Sequence, residues 1–237
     1  MRELNMQQIV AKSAFALALV LAAPALLAQS IAPDILLRSV TEEVIGQIKQ
    51  DADLQAGDPV KVAALVATAI LPLFDFNRMT QSAMARNWRL ASLAQQRALV
   101  DEFRTLLLRT YSSALVNYRD EVIEFKRLRA APGATAVTVK SDVKRSGREM
   151  ISLDYDMENT PAGWRIYDVK VAGVRMVSSH REAFAERIRE GGVEGLIKSL
   201  SDMNRQRENR FKSVKASTWE KSRLMYAILR SMWQPFR

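Results

Sequence analysis

Between Asp120 and Val174 apolar and polar residues alternate, whereas on either side of that stretch apolar residues recur every third or fourth position. Asp120 to Leu128 sets Ile123 and Phe125 on one side. Thr135 to Lys144 sets Val137, Val139 and Val143 against Thr138, Lys140, Asp142 and Lys144. Glu149 to Glu158 carries Ile151, Leu153, Tyr155 and Met157 in phase, and Trp164 to Val171 carries Tyr167, Val169 and Val171. The connections, around Pro132–Gly133, Arg145 to Arg148 and Pro161 to Gly163, are of hairpin length. The pattern predicts a meandering antiparallel sheet of about four strands with one apolar and one wet face.

The flanking periodicity is helical. Asp34, after Pro33, is an expected N-cap for a stripe of Leu36, Val40, Val44 and Ile48. Asp58 and Pro59 open a second helix through Val62, Leu65, Val66, Ala69 and Ile70 that Pro72 ends. A short third helix is predicted from Asn77 to Arg86. Ser92 and Gln95 form a capping box for the longest expected helix, through Leu99, Phe103, Leu106, Leu107, Tyr111 and Leu115. After the sheet, Ser179 and Glu182 form a second capping box for a helix with Phe184 and Ile188 that Gly191 and Gly192 end, and Val193 to Met203 forms a last short one. A helical half, a sheet and closing helices make an α+β domain.

The first residues have the form of an export leader. Arg2 and Lys12 precede an apolar run from Ser13 to Ala22, Pro24 and small residues follow, and the run is short of the roughly 20 residues that a membrane span needs. Cleavage is expected after Ala28, with Ala25 as the second choice and a retained anchor as the alternative. Residues 1–28 are thus a signal peptide, 29–204 the folded domain and 205–237 a basic extension. The chain has no cysteine, so neither a lipidated N-terminus nor disulfide staples are available, and the domain depends on its hydrophobic core. The formal charge of +9 is concentrated after Asn204, where nine Lys and Arg stand against Glu208 and Glu220, leaving the folded domain near neutrality. A nucleic-acid-binding domain would carry its basic residues on the fold itself, so this class is set aside. The extension also contains Trp219, Met225, Ile228, Met232 and Trp233, compatible with an amphipathic helix for anionic membranes or with an unstructured tail.

Reactive groups are scarce. The single histidine, His180, follows Ser178 and Ser179 at a helix start, where serines ordinarily cap, and no nucleophile elbow or orienting acid accompanies it. One histidine and no cysteine leave only carboxylates for a metal, and no glycine-rich phosphate loop occurs. Asp154, Asp156 and Asp168 lie out of phase with the apolar strand positions and read as solvent-facing charges. Binding, without a catalytic residue, metal or cofactor, is the reading left.

Four segments carry a more specific signal: LFDFNRMTQSAMARNWR (Leu73 to Arg89), DEFRTLLLRTYSSAL (Asp101 to Leu115), GWRIYDVKVAGVRMVSSHREAF (Gly163 to Phe184) and GGVEGLIKSL (Gly191 to Leu200). In this order they resemble the MlaC family of periplasmic phospholipid carriers, also called toluene-tolerance proteins, over about residues 34 to 204. The resemblance implies a nuclear-transport-factor-like fold whose curved sheet and helices enclose a deep apolar cavity for the acyl chains of a glycerophospholipid. It further implies a monomeric periplasmic shuttle between an inner-membrane ABC transporter with an MCE-domain subunit and an outer-membrane lipoprotein and porin complex, which maintains outer-membrane lipid asymmetry. The proposed net direction is retrograde.

Candidate walls follow from the inward strand and helix positions: Val137, Val139, Ile151, Leu153, Tyr155, Tyr167, Val169 and Val171 from the sheet, and Phe74, Phe76, Leu106, Leu107, Tyr111 and Leu115 from the helices. About half are expected to be plain core, because pocket and core residues look alike in sequence. Hydroxyls at Tyr111 or Tyr118 are candidates for lipid ester contacts. Two other readings stand beside the carrier. An isomerase-type enzyme on the same fold needs an acid pointing among Tyr155, Tyr167 and Val169. A periplasmic protein-binding adaptor needs an external apolar patch.

Overall fold

Four of the helix starts described below are set by side chains that accept hydrogen bonds from otherwise unpaired amides. In the computed structural model, which describes residues 31–116, 122–144, 147 and 149–232, with backbone alone for 59, 111–116 and 210–232, the first helix is α1 (Pro33–Gln50). Its N-cap is Ala32, whose methyl side chain has no acceptor to offer, with Pro33 at the first helical position; Asp34 lies inside the first turn instead of capping it. Asp51 then accepts from the amides of Asp53 and Leu54 and opens α2 (Ala52–Ala56), a helix absent from the expectation. Asp58 caps α3 (Pro59–Leu65) as expected, accepting from Val60 and Lys61 at 3.0 and 2.9 Å. The helix loosens into a π turn at Val66–Ile70 and tightens into a 3₁₀ turn at Leu71–Leu73. Asp75 caps α4 (Phe76–Met84), and the Ala85–Leu90 3₁₀ segment leads to α5 (Leu93–Val116). Its capping box is complete: Ser92 N donates to Gln95 Oε1 at 3.0 Å and Gln95 N to Ser92 Oγ at 3.3 Å.

The sheet has five strands in sequential order, all antiparallel: β1 (Val122–Phe125), β2 (Ala136–Lys144), β3 (Ile151–Thr160), β4 (Gly163–Val171) and β5 (Val174–Arg175). The fifth was not anticipated, since two residues are too few to show alternation. It forms because Ala172 and Gly173 both take positive φ, 47° and 87°, as a two-residue hairpin turn matched to strand twist requires. Pairing between β3 and β4 slips between Asp156 and Met157, so Asp156 faces Asp168 while Met157 faces Ile166, and Tyr167 is the spare residue of a β-bulge.

A 3₁₀ turn (Ser178–His180) precedes α6 (Arg181–Met232). In place of the expected capping box, Ser179 Oγ donates back to the Met176 carbonyl at 3.1 Å. Gly191 and Gly192 break the helical geometry, Gly192 at φ 67° and ψ −170°, a conformation strained for any side chain. Helix then resumes at Val193 and continues past Met203 to Met232, so the last helix does not end at Met203 and, among the described residues, this stretch outruns the 24 residues of α5. The proposed leader, the beginning of the first expected strand, Tyr118, most of the Arg145–Arg148 turn and Trp233 onward lie outside the described residues.

The apolar interior falls into three clusters. One joins α4, α5 and α6 around Phe103, Leu99, Leu196 and Leu200; one lines the sheet around Val139, Met157, Trp164 and Ile166 beneath Leu37 of α1; one joins α1, α2 and α3 around Val44, Leu54 and Leu65. A domain of this size ordinarily has one contiguous core with small satellites. Here Phe74 is the partly buried side chain that packs against both the helical and the sheet cluster.

Candidate functional site

Cross-strand register brings Val143 beside Ile151, Ser141 beside Leu153, Val139 beside Tyr155, Leu153 beside Val171 and Tyr155 beside Val169, all on one face. Burial is graded along it. Val139, Met157 and Val169 are buried, whereas Ile123, Val137, Val143, Ile151, Leu153 and Val171 remain partly exposed despite pointing inward. Leu36 and Leu37 of α1, with Leu73 and Phe74, cover the deeper part. Toward β1 the cover is polar at its edge: the Arg38 guanidinium lies 5.4 Å from the Phe125 ring centre, and Phe125 stacks on Tyr155 at 6.4 Å. Burial raises the Tyr155 phenol above its ordinary pKa, with the Ser141 hydroxyl opposing, so Tyr155 stays neutral and presents an apolar ring with a polar tip.

The wall candidates divide. Leu106 and Leu107 are buried in the helical cluster, with Phe74 and Phe76 packed against it and stacked on each other at 5.8 Å. Val139 and Val169 are buried in the sheet cluster, with Val137, Tyr155 and Val171 at its margin. Ile151 and Leu153 share the face but belong to neither cluster. The side chains of Tyr111 and Leu115 lie outside the described residues. Tyr167 departs from its expected phase: as the bulge residue it packs against the helical cluster, with the Arg78 guanidinium 5.6 Å from its ring centre. The same bulge brings Trp164 and Ile166 into the sheet cluster, although strict alternation from Val169 and Val171 places them on the opposite face. A strand of uniform period could not have revealed them. Leu37 was missed because it sits one position off the helical stripe.

On the opposite face the acids overturn their solvent-facing assignment. Asp156 and Asp168 are only 8% and 5% exposed. Arg175 of β5 bridges both carboxylates, Thr138 donates to Asp156 at 2.7 Å, and Asp168 accepts from the amides of Val169 and Val177 at 2.8 and 3.0 Å. The paired carboxylates hold the Arg175 pKa above its ordinary value. Asp154, partly exposed, pairs with Lys170 at 2.6 Å. These groups are fully engaged in ion pairs and hydrogen bonds, and they point away from Tyr155 and Val169. Each is structural: two buried carboxylates facing one another are tolerable only with a shared cation and donors.

His180 lies in an aromatic nest, 5.2 Å from the Phe103 ring and 5.6 Å from that of Phe184. Burial, with the nearby positive charge of Arg207, pushes its pKa below the ordinary histidine value. A neutral imidazole wedged between phenyl rings is core. Among the described residues no group of three or more His, Asp or Glu could hold a metal ion. A groove of about 380 Å³ opens on α6 and is lined by Arg187, Glu190, Lys198, Asp202 and Met203 among others. Its charged, open lining differs from the deep apolar cavity implied by the resemblance, and it contains none of the wall candidates.

What remains is a half-covered hydrocarbon surface framed by aromatic rings, with its acids turned outward. The model of the family described as "MlaC protein" matches residues 38–202. The chain belongs to the MlaC family. It is 23% identical over 177 residues to the toluene tolerance protein Ttg2D of Pseudomonas putida, covering 74% of this chain and 82% of that protein. It is 19% identical over 171 residues to the intermembrane phospholipid transport system binding protein MlaC of Haemophilus influenzae, covering 71% and 80% of the two chains. A phospholipid-binding protein from Ralstonia solanacearum, solved in complex with a phospholipid, superposes with a TM-score of 0.70 at 38% identity, covering 75% of this chain and 99% of that one. The MlaC match takes in α1 from Arg38 through α6 to Asp202, and so includes the whole apolar face.

Proposed function

We propose that this MlaC-family chain is a non-enzymatic periplasmic carrier that shelters the acyl chains of a glycerophospholipid against the apolar face of its sheet. It passes the lipid between the outer-membrane and inner-membrane complexes of an Mla-type transport system and so maintains outer-membrane asymmetry. The observation that carries this reading is the combination of partly exposed inward aliphatics at Ile151, Leu153 and Val171 with an interior divided into three clusters. Apolar surface left open inside a fold costs free energy that an apolar ligand recovers. Further support comes from the Ralstonia relative, which was solved with a phospholipid.

Two acyl chains bring roughly 30 methylenes, and sheltering each removes about 0.8 kcal/mol of water exposure, on the order of 20 kcal/mol in all. A bilayer offers the same gain. A carrier must therefore come close to the membrane without exceeding it, which favours smooth hydrocarbon walls and weak headgroup contacts. Among the described residues none of the candidate acids supports the isomerase alternative: Asp156 and Asp168 serve Arg175 and Asp154 pairs with Lys170, all on the other face. Native mass spectrometry of the protein purified without detergent is the direct test. A mass excess equal to one diacyl phospholipid is expected, together with fatty acids in the solvent extract. Protein that is folded, active in no lipid transfer and lipid-free under those conditions would overturn the reading.

A further inference from the structure

Three buried side-chain oxygens among the described residues have no hydrogen-bond partner: Ser141 Oγ, Asp142 Oδ1 and Asn204 Oδ1. Two of these residues are held through their other polar atom, since Asp142 pairs with Lys126 at 3.0 Å and Asn204 donates to the Glu102 carboxylate at 2.6 Å. The serine side chain has no second polar atom. Ser141 is 1% exposed, and a hydroxyl closed off from water without a bond bears the full loss of its hydration.

Phe125, Ser141, Leu153 and Val171 are successive partners from β1 to β4 and form one row across the apolar face. Phe125, Leu153 and Val171 are partly exposed, so Ser141 is the short floor between larger side chains on either hand. The row on one side, Ile123, Val143 and Ile151, is aliphatic and partly open. The row on the other, Val139, Tyr155 and Val169, brings in the second hydroxyl. The Tyr155 ring stacks on Phe125 at 6.4 Å, and its hydroxyl lies close enough to Ser141 to counter part of the effect of burial on the phenol, yet outside bonding geometry. Two hydroxyl donors thus lie together in three rows that are otherwise hydrocarbon.

We propose that the Ser141 and Tyr155 hydroxyls are the seat of an acyl ester carbonyl of the lipid, and so fix how far along the sheet it lies. This rests on the carrier reading. A carbonyl oxygen has two lone pairs and no proton, so a single ester accepts from both donors at once. The esters are also the polar groups of a diacyl glycerolipid joined directly to its acyl chains, and so the ones that reach a row with aliphatic neighbours on both sides. A phosphate would find no cation in these rows, and its burial there would be strongly unfavourable. A lipid lying on the face reaches Ser141 by turning aside Phe125 or Leu153, both partly exposed. Neutral hydrogen bonds are modest in net strength, which suits a carrier that has to release its ligand.

The test incubates the full chain with vesicles holding equal amounts of a diester phosphatidylglycerol and its diether counterpart of the same chain length. The protein is then re-isolated and its lipid read by mass spectrometry. The parent is expected to take up the diester about fivefold over the diether, the preference that one net hydrogen bond supplies. Ser141→Ala and Tyr155→Phe should each lower that ratio, and the double variant should bring it close to one. Tyr155→Phe keeps the ring on Phe125 and so reads the seat independently of the serine. Ser141→Ala breaks no bond within the protein, so its urea midpoint should equal or exceed that of the parent. A lower midpoint would reveal an internal partner for Ser141 and overturn the proposal. A parent ratio near one, or a ratio that the double variant leaves unchanged, overturns the seat while the carrier reading stands. A parent that takes up neither lipid overturns both.

Discussion

The two faces of the sheet reverse the ordinary rule of burial. On one, Leu153 and Val171, a cross-strand pair of aliphatics, stay partly open. On the other, Asp156 and Asp168 are nearly closed off from water. The difference follows from what each face has to accommodate. Charges can be buried where nothing enters, because Arg175, Thr138 and two amides neutralise them permanently. The aliphatic groups left open on the first face are the ones that the proposed carrier role covers with a ligand. The charged side of the sheet is thus closed by its own ion pairs, and the open side carries apolar groups.

The contrast breaks most severely at Asp168. Asp168→Ala leaves Asp156 with Arg175 but strips acceptors from the Val169 and Val177 amides, and a loss of about 3 kcal/mol is expected from urea unfolding. A loss below about 1 kcal/mol would mean that this face is hydrated in solution. On the receptive side the expected effect is on ligand and not on folding. Leu153→Trp and Val171→Trp should each reduce copurified phospholipid about tenfold, equivalent to about 1.4 kcal/mol, while folding stability moves by less than about 1.5 kcal/mol. Unchanged lipid in both folded variants would remove these residues from the wall.

The smallest expected effect is a slope at His180, which belongs to neither face. Its folded pKa lies below the ordinary value near 6.5, so as pH falls through that value the unfolded chain takes up the proton first. Stability contributed by the neutral imidazole is complete above about pH 6.5 and declines as the pH drops toward the folded pKa. Because the chain has one histidine, a single imidazole signal in proton NMR reports this titration directly. His180→Phe should flatten the acid side of the melting-temperature profile, and a midpoint above 6.5 would contradict the aromatic nest.

Much of the architecture was legible because it depends on local chemistry. Asp58–Pro59, Ser92 with Gln95 and the valine alternation in β2 each specify their geometry within a few residues. What escaped depends on contacts distant in sequence. The burial of Asp156 and Asp168 needs Arg175 from a two-residue strand that has no period of its own. The continuation of α6 beyond Met203 is anchored by Asn204 and Arg109, residues about a hundred positions apart in different helices. The wall candidates split between open face and core because alternation records which side a residue takes and not how deep it lies. Leu153 and Val139 are equivalent in pattern, yet one is partly open and the other fully enclosed.

The spare residue in β4 has a consequence for how this strand can vary. By carrying Tyr167 outside the ladder, the chain resets its alternation in mid-strand, so the outer half with Trp164 and Ile166 and the inner half with Val169 and Val171 face the same way without sharing a frame. Each half is a separate module: the first fastens the sheet to the helices, and the second borders the open surface. Substitutions that reshape one can accumulate without rotating the other, so the open surface is free to drift in shape while the anchoring stays fixed.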